Sequence, residues 1–255
     1  MLTPWRTAIV DAKDGEIRIR GRDVTSLMRE ATFTDTIFLL HRGDMPTARE
    51  RRILDAILTS VADHGANAPS CAAARLSASG NRQSVSANVA AGLLAIGDEH
   101  GGAGEQCMQM IAAGLHRVRE CSMNVTAAAA AIVEETRSAG RRLPGLGHRV
   151  HRVDPRVEVL FALAQDGDRE PESITFMRAL QRAATAAIKP LPINIDGALA
   201  ALLHDLGFPP QAGKLLFIIG RVAGLTAEVA EEYARERPMR IRIPLEYDGV
   251  PPVSA

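Results

Sequence analysis

Thr126-Ala-Ala-Ala-Ala-Ala-Ile132 and Arg182-Ala-Ala-Thr-Ala-Ala-Ile188 decide the fold class of this chain. Alanine loses no side-chain entropy in a helix, and its small volume lets helices pack closely, whereas sheets draw on β-branched and aromatic side chains. Aromatic residues make up only 4% of the sequence, and Cys71-Ala-Ala-Ala-Arg75 repeats the alanine pattern elsewhere, so the chain reads as all-α. Working outward, the punctuation predicts helices over 23–30, 33–42, 47–64, 69–79, 82–97, 104–119, 123–139, 154–166, 170–188, 194–206, 209–219 and 222–237. Thr47 stands three residues before Glu50 as a cap, and Asp154-Pro155 places a cap just ahead of a first-turn proline. One exception lies near the N-terminus. There Ile9-Val10 and Ile17-Arg-Ile19 flank Asp14-Gly15, which predicts a short hairpin.

At 255 residues, 46% apolar and 24% charged, the chain can bury one large core or two smaller ones. Thirty Lys plus Arg balance thirty Asp plus Glu, so no overall field recruits nucleic acid or an anionic membrane. Cys71, Cys107 and Cys121 are odd in number and form no Cys-x-x-Cys pair, which argues against a disulfide framework or structural zinc and for a reducing cytoplasm. The first residues lack the pattern of a secretory signal. The most apolar run, Leu215 to Leu225, is interrupted by Arg221 and does not read as a membrane span.

Three breaks between helices carry more polar chemistry than a turn needs: Asp98–Glu105, Pro144–Arg156 and Lys189–Gly197. Loops held by a rigid scaffold are where catalytic groups sit, so two histidine-bearing loops and an aspartate-bearing one invite an acid/base reading. His100 precedes Gly101-Gly102, which either lets backbone approach a ligand or simply ends a helix. The segment around His148 combines a glycine turn with Arg142, Arg149, Arg152 and Arg156, which suits an anion or a solvated basic loop. Cationic neighbours oppose a metal at His148 and His151. Asp196 is a candidate acid/base group or a helix N-cap, His64 a helix-terminal histidine, and Arg221 a buried cation needing an anionic partner. No Walker loop, dinucleotide fingerprint or nucleophile elbow is present.

In order along the chain, His64-Gly-Ala-Asn-Ala-Pro-Ser70 with Arg75, His100-Gly-Gly-Ala-Gly-Glu105, Pro144-Gly-Leu-Gly-His-Arg-Val150 with Asp154-Pro-Arg156, and Asn194-Ile-Asp196 resemble the motifs of the citrate synthase superfamily. Ile19–Val24 and Leu39–Thr47 near the start, and Phe217–Leu225 and Arg242–Gly249 near the end, extend the resemblance over nearly the whole chain. It implies a two-domain helical fold. Thr47 leads to His64 in seventeen residues where full-length members of the family have a long helical segment, so the resemblance implies a truncated large domain, a form similar to citryl-CoA lyases and to the lyase module of ATP-citrate lyase. The implied large domain comprises 1–102 and 201–255, with a small domain over 103–200.

By that resemblance His100, His148 and Asp196 are the catalytic three, His64, Arg156 and Arg221 hold the dicarboxylate, and Arg242, with Arg240 as its rival, reaches in from a second subunit. A coenzyme A thioester would lie along Pro144, Gly145, Leu146 and Gly147, with Arg152, Lys189 and Asn194. The implied reaction cleaves citryl-CoA to acetyl-CoA and oxaloacetate in a homodimer or larger assembly, with no metal or redox cofactor. The alternatives are a citrate or methylcitrate synthase, and a helical regulatory subunit without catalysis.

Overall fold

The structure, a computed structural model, describes residues 3–147, 153–167 and 169–250. It contains eleven helices and one small sheet among these residues. The hairpin forms as expected: β1 (Val10–Lys13) pairs antiparallel with β2 (Glu16–Ile19), with Val10 opposite Ile19 and Lys13 opposite Glu16. A two-residue β3 (Arg22–Asp23) adds a third strand that the sequence reading lacked.

The helices are α1 (Val24–Glu30), α2 (Phe33–Arg42), α3 (Ala48–Val61), α4 (Pro69–Gly80), α5 (Val85–Leu94), α6 (Ala103–Glu120), α7 (Val125–Ser138), α8 (Pro155–Ala164), α9 (Glu172–Ala187), α10 (Ile195–Asp205) and α11 (Ala212–Arg235). Thr47 and Glu50 form a reciprocal capping box on α3, and Thr32 with Asp35 does the same on α2. Asp154 caps α8 directly before Pro155. One expectation fails. The predicted break at Gly220-Arg221 is absent, and α11 runs unbroken through both residues. Gly220 is there for space: a Cβ on it would come within 2.9 Å of the Leu58 carbonyl oxygen and closer still to the Val61 side chain. A glycine placed by a neighbouring helix looks like a helix stop when only sequence is read.

α10 is the axis of the molecule. Gly197 through Leu203 are all buried, and this helix packs against α6, α9, α8, α3 and α11. Small residues set the spacing: backbone meets backbone where Gly104 of α6 faces Gly213 of α11, and Gly114 leaves room for the Phe176 ring of α9. A smaller second core joins α4 to α11 through Cys71, Ala74, Ala78, Leu225 and Val229.

Beside that second core runs a charge network. Glu232 is fully buried and receives Arg75 at 3.1 Å and Arg240 at 2.6 Å, while Glu228 holds Arg75 from the same helix face. Arg82 donates to the carbonyls of Glu232 and Glu236 and so closes the end of α11. Met239 then donates its amide to the Ser79 carbonyl at 2.9 Å, which fixes the point from which residues 241–250 leave the body. In that last segment Ile243, Leu245 and Tyr247 are exposed.

Removing the buried Glu232 carboxylate takes one partner from each of two cations, Arg75 keeping Glu228 and Arg240 keeping Glu236, and the loss of charge-assisted hydrogen bonds costs about 2 kcal/mol. Glu232→Ala is therefore expected to lower the urea midpoint clearly, whereas Glu231→Ala, whose carboxylate is half exposed, leaves it almost unchanged. Equal midpoints for the two variants would refute the structural weight given to this network.

Candidate active site

His100 lies between α5 and α6 in a loop closed by two reciprocal backbone hydrogen bonds, Gly97 N–H to His100 O and His100 N–H to Gly97 O, both 3.0 Å. It stands well beyond the C-cap of α5 at Ala95, so it does not end a helix. Gly101 adopts φ +77°, and a Cβ there would strike the Phe217 ring; one on Gly102 would reach 2.5 Å from the Gly97 carbonyl oxygen. Gly101 thus seats the loop against α11, and Gly102 lets the loop close on itself.

The imidazole is held from one side. Its Nε2 accepts the Ser70 amide at 3.3 Å and lies 2.9 Å from Ser70 Oγ, while Arg221 Nη1 donates to the same oxygen at 3.1 Å. With its lone pair facing the guanidinium, the hydroxyl gives its own proton to Nε2, which assigns the ring proton to Nδ1. Nδ1–H has no hydrogen-bond partner among the described residues. Burial first, then the charges of Arg221 and His64, lower the His100 pKa below that of an ordinary histidine. At neutral pH the ring is therefore a neutral donor.

Arg221 is only 2% exposed, and this number decides its meaning. Its Nε donates to the Val61 carbonyl at 2.9 Å, and its Cζ lies 5.0 Å from the centre of the Phe217 ring. None of the ion pairs among the described residues involves it. A buried guanidinium without a carboxylate is a receptor for an anion from outside.

Asp196 sits in the first turn of α10, and the cap of that helix is its neighbour: Asn194 Oδ1 accepts the Gly197 amide at 3.1 Å. The N-cap alternative for Asp196 falls. Desolvation raises its pKa, with Arg156 and Arg221 pulling it down and Asp154 pushing it up. Below it lies Cys107, whose thiol is held protonated by burial and by the Asp196 charge.

The glycine turn at 144–147 is fastened to the approach of α10. Gly147 N–H donates to Pro192 O at 2.7 Å, Asn194 N–H to Gly145 O at 3.1 Å, and Asn194 Nδ2 to Gly147 O at 2.7 Å. Gly145 has φ +79°, and a Cβ on it would lie 2.7 Å from Gly197 Cα. Pro144, Leu146 and Gly147 are half-buried, and Lys189 is exposed where its amide closes the end of α9.

The remaining residues divide. Arg156 embraces the buried Asp154 carboxylate at 2.7 and 2.9 Å and also donates to Ser60 O at 3.0 Å, which ties α8 to α3. His64 is exposed in the connection between α3 and α4. Arg240 is occupied by Glu232, and Arg242 is exposed in the terminal segment. His148 and Arg152 lie outside the described residues. Ser70, Phe217 and Asp154 were missed as contributors; a serine in an alanine-rich helix and a phenylalanine one turn before Arg221 carry no functional signal by themselves. Asp63, Cys71 and Glu228 hold three ligand-type atoms within 4.8 Å of one another. Burial and Asp63 raise the Cys71 pKa, and Arg75 already engages Glu228, so this group fits a metal ion poorly.

A helical scaffold brings an imidazole to the start of α6, a desolvated carboxylate to the start of α10 and an anion-seeking arginine to the middle of α11, and known proteins share it. The citrate synthase C-terminal domain matches residues 46–242, and the chain belongs to the citrate synthase family. Among solved structures, citryl-CoA lyase from Hydrogenobacter thermophilus is similar at 37% identity and a TM-score of 0.87, over 98% of this chain and 97% of that one. ATP citrate lyase from Methanothrix soehngenii shares the fold at a TM-score of 0.79 and 22% identity, over 97% of this chain and 43% of its own. Glyoxysomal citrate synthase from Cucurbita maxima is 30% identical over 84% of this chain, which spans only 42% of that relative.

The raised Asp196 pKa has a consequence for stability. Where the folded-state pKa exceeds the unfolded one, the ionised group costs stability once pH rises through that window, and the cost vanishes below both values. Asp196→Asn is expected to raise the melting temperature at neutral pH and to leave it unchanged below pH 3.8, the ordinary value for the group. The same rise at both pH values would show that charge burial is not its source.

Proposed function

We propose that the protein cleaves citryl-CoA to acetyl-CoA and oxaloacetate. The observation that carries this reading is the buried, carboxylate-free Arg221, linked through one serine hydroxyl to a neutral His100. The TM-score of 0.87 with a citryl-CoA lyase, against 0.54 to 0.67 with citrate synthases, supports the lyase direction.

In that reaction the tertiary hydroxyl of the citryl group loses its proton to a base at His148, and its oxygen becomes the ketone of oxaloacetate as the carbon–carbon bond breaks. The bonding pair moves into the thioester as an enolate, whose oxygen accepts a hydrogen bond from His100 Nδ1–H. Asp196, whose raised pKa favours its holding a proton, gives that proton to the enolate carbon. Arg221, with His64 and Arg156, receives the dicarboxylate portion. The thioester lies along 144–147 and 189–194, where the backbone is drawn close by Gly145 and Gly147 and fixed by Asn194.

The same reading divides the chain into a large domain of 1–102 and 201–255 and a small domain of 103–200, with His100 and Asp196 near the seams. Closure between the two would exclude water from the enolate. It also makes the protein a homodimer, since Arg242 leaves the body on a segment whose Ile243, Leu245 and Tyr247 have nothing of their own chain to cover them. A cytoplasmic setting accords with three unpaired cysteines, and no helix among the described residues is long and apolar enough to cross a membrane. The synthase direction is the second reading, favoured by the 30% identity to a citrate synthase.

Purified protein given citryl-CoA is expected to release oxaloacetate, read through malate dehydrogenase, while acetyl-CoA with oxaloacetate yields little free thiol. Sustained thiol release would instead establish a synthase, and silence in both assays would remove the catalytic reading. Asp196→Asn should lower turnover by about 10²–10⁴-fold with CoA affinity retained. Arg221→Ala should chiefly weaken affinity for oxaloacetate; an unchanged value would displace Arg221 from the dicarboxylate site.

A further inference from the structure

α6 and α10 each begin at the candidate active site and end on a cavity remote from it. Its volume is about 540 Å³, and His204 in its wall stands roughly 12 Å along α10 from Asp196. Neither the dicarboxylate nor the thioester reading uses it. Arg49 enters from the first turn of α3, Arg119 from the last turn of α6, and Arg169 from the segment before α9. The N-terminus of α9 opens on the same space, and its cap, Pro171, offers no side-chain acceptor to the amides of the first turn.

Two further details single out this wall. Ser173 is 98% buried, since only 2% of it is exposed, and its Oγ makes no hydrogen bond; Arg49 Nε is likewise buried without an acceptor. These are two of the four such orphaned atoms among the described residues, and they share one cavity. The carboxylates nearby do not cancel the arginines so much as orient them. Asp205 holds one Arg49 nitrogen at 3.0 Å, and Glu172 one Arg119 nitrogen at 2.7 Å, which leaves further guanidinium donors on each.

We propose that this cavity binds a phosphorylated small molecule of up to nucleotide size. Arginine forks and an uncapped helix N-terminus are phosphate chemistry, while Asp166, Asp205 and Glu172 are acceptors for hydroxyl or amino groups on the remainder of the ligand. The volume falls within the range of small-molecule sites. The ligand bridges α3 to the far ends of α6 and α10, the helices that carry the catalytic loop and Asp196 at their other ends.

The test is calorimetric titration of the full chain, its dicarboxylate site saturated with oxaloacetate, with inorganic pyrophosphate, repeated in saturating CoA and with citrate as a phosphate-free polyanion. Saturable binding that persists in CoA is expected, with citrate much weaker. Arg119→Ala and Arg169→Ala should each weaken it by about tenfold, the worth of one charge-assisted contact. Ser173→Ala should weaken it while leaving the melting temperature of the ligand-free protein unchanged or higher, because it deletes a hydroxyl that has no partner there. The proposal fails if pyrophosphate does not bind, if CoA displaces it, if the arginine variants bind as the parent does, or if citrate binds better. None of these outcomes depends on whether the protein is a lyase or a synthase.

Discussion

A positive charge sealed inside a helix bundle is the constraint around which this molecule is arranged. Arg221 could be stabilised by a carboxylate of its own, and the same helix supplies two: Glu228 and Glu232 lie about two and three turns further along it. Those acids are given to Arg75 and Arg240 instead. What Arg221 receives is a carbonyl, a hydroxyl and an aromatic face, groups that solvate a guanidinium without neutralising it. The remaining field adds to the burial that lowers the His100 pKa and pulls against the desolvation that raises that of Asp196. One unneutralised cation thus reaches both of the other groups.

The precision of that arrangement comes from the absence of side chains. Where the 144–147 turn meets α10, and where α6 meets α11, glycine faces glycine and the backbones touch. Positions fixed by backbone contact have no rotamers to vary, so the amides and carbonyls that would meet a thioester are set by the fold itself. The alanine content serves the same end, since helices that approach closely leave little room for water between the site and the core.

Much of this was legible in the sequence. Alanine-rich segments gave the helices, and caps such as Thr47 with Glu50 gave several of their starts, because both signals are local. His100, Asp196 and Arg221 were legible as departures from what a turn, a cap or an apolar run requires. What escaped was relational. Whether Asp196 or Asn194 caps α10 depends on which side chain turns back to the Gly197 amide, and Ser70 becomes part of the site only when α4 is laid against α11. Gly220 misled for the same reason, being shaped by a neighbour across the core rather than by its own helix.

The anchoring of the last segment carries a further consequence. Arg82 and the Met239 amide fix where this segment begins, and its described residues 241–250 span at most about 35 Å. On the dimeric reading each copy then offers one arm and one surface to receive an arm, both at set positions. Two copies related by a twofold axis satisfy each other completely and leave no arm over, so the geometry favours a closed pair over an open chain of subunits. Each active site in such a pair is finished by its neighbour, and dilution that separates the copies would extinguish both at once.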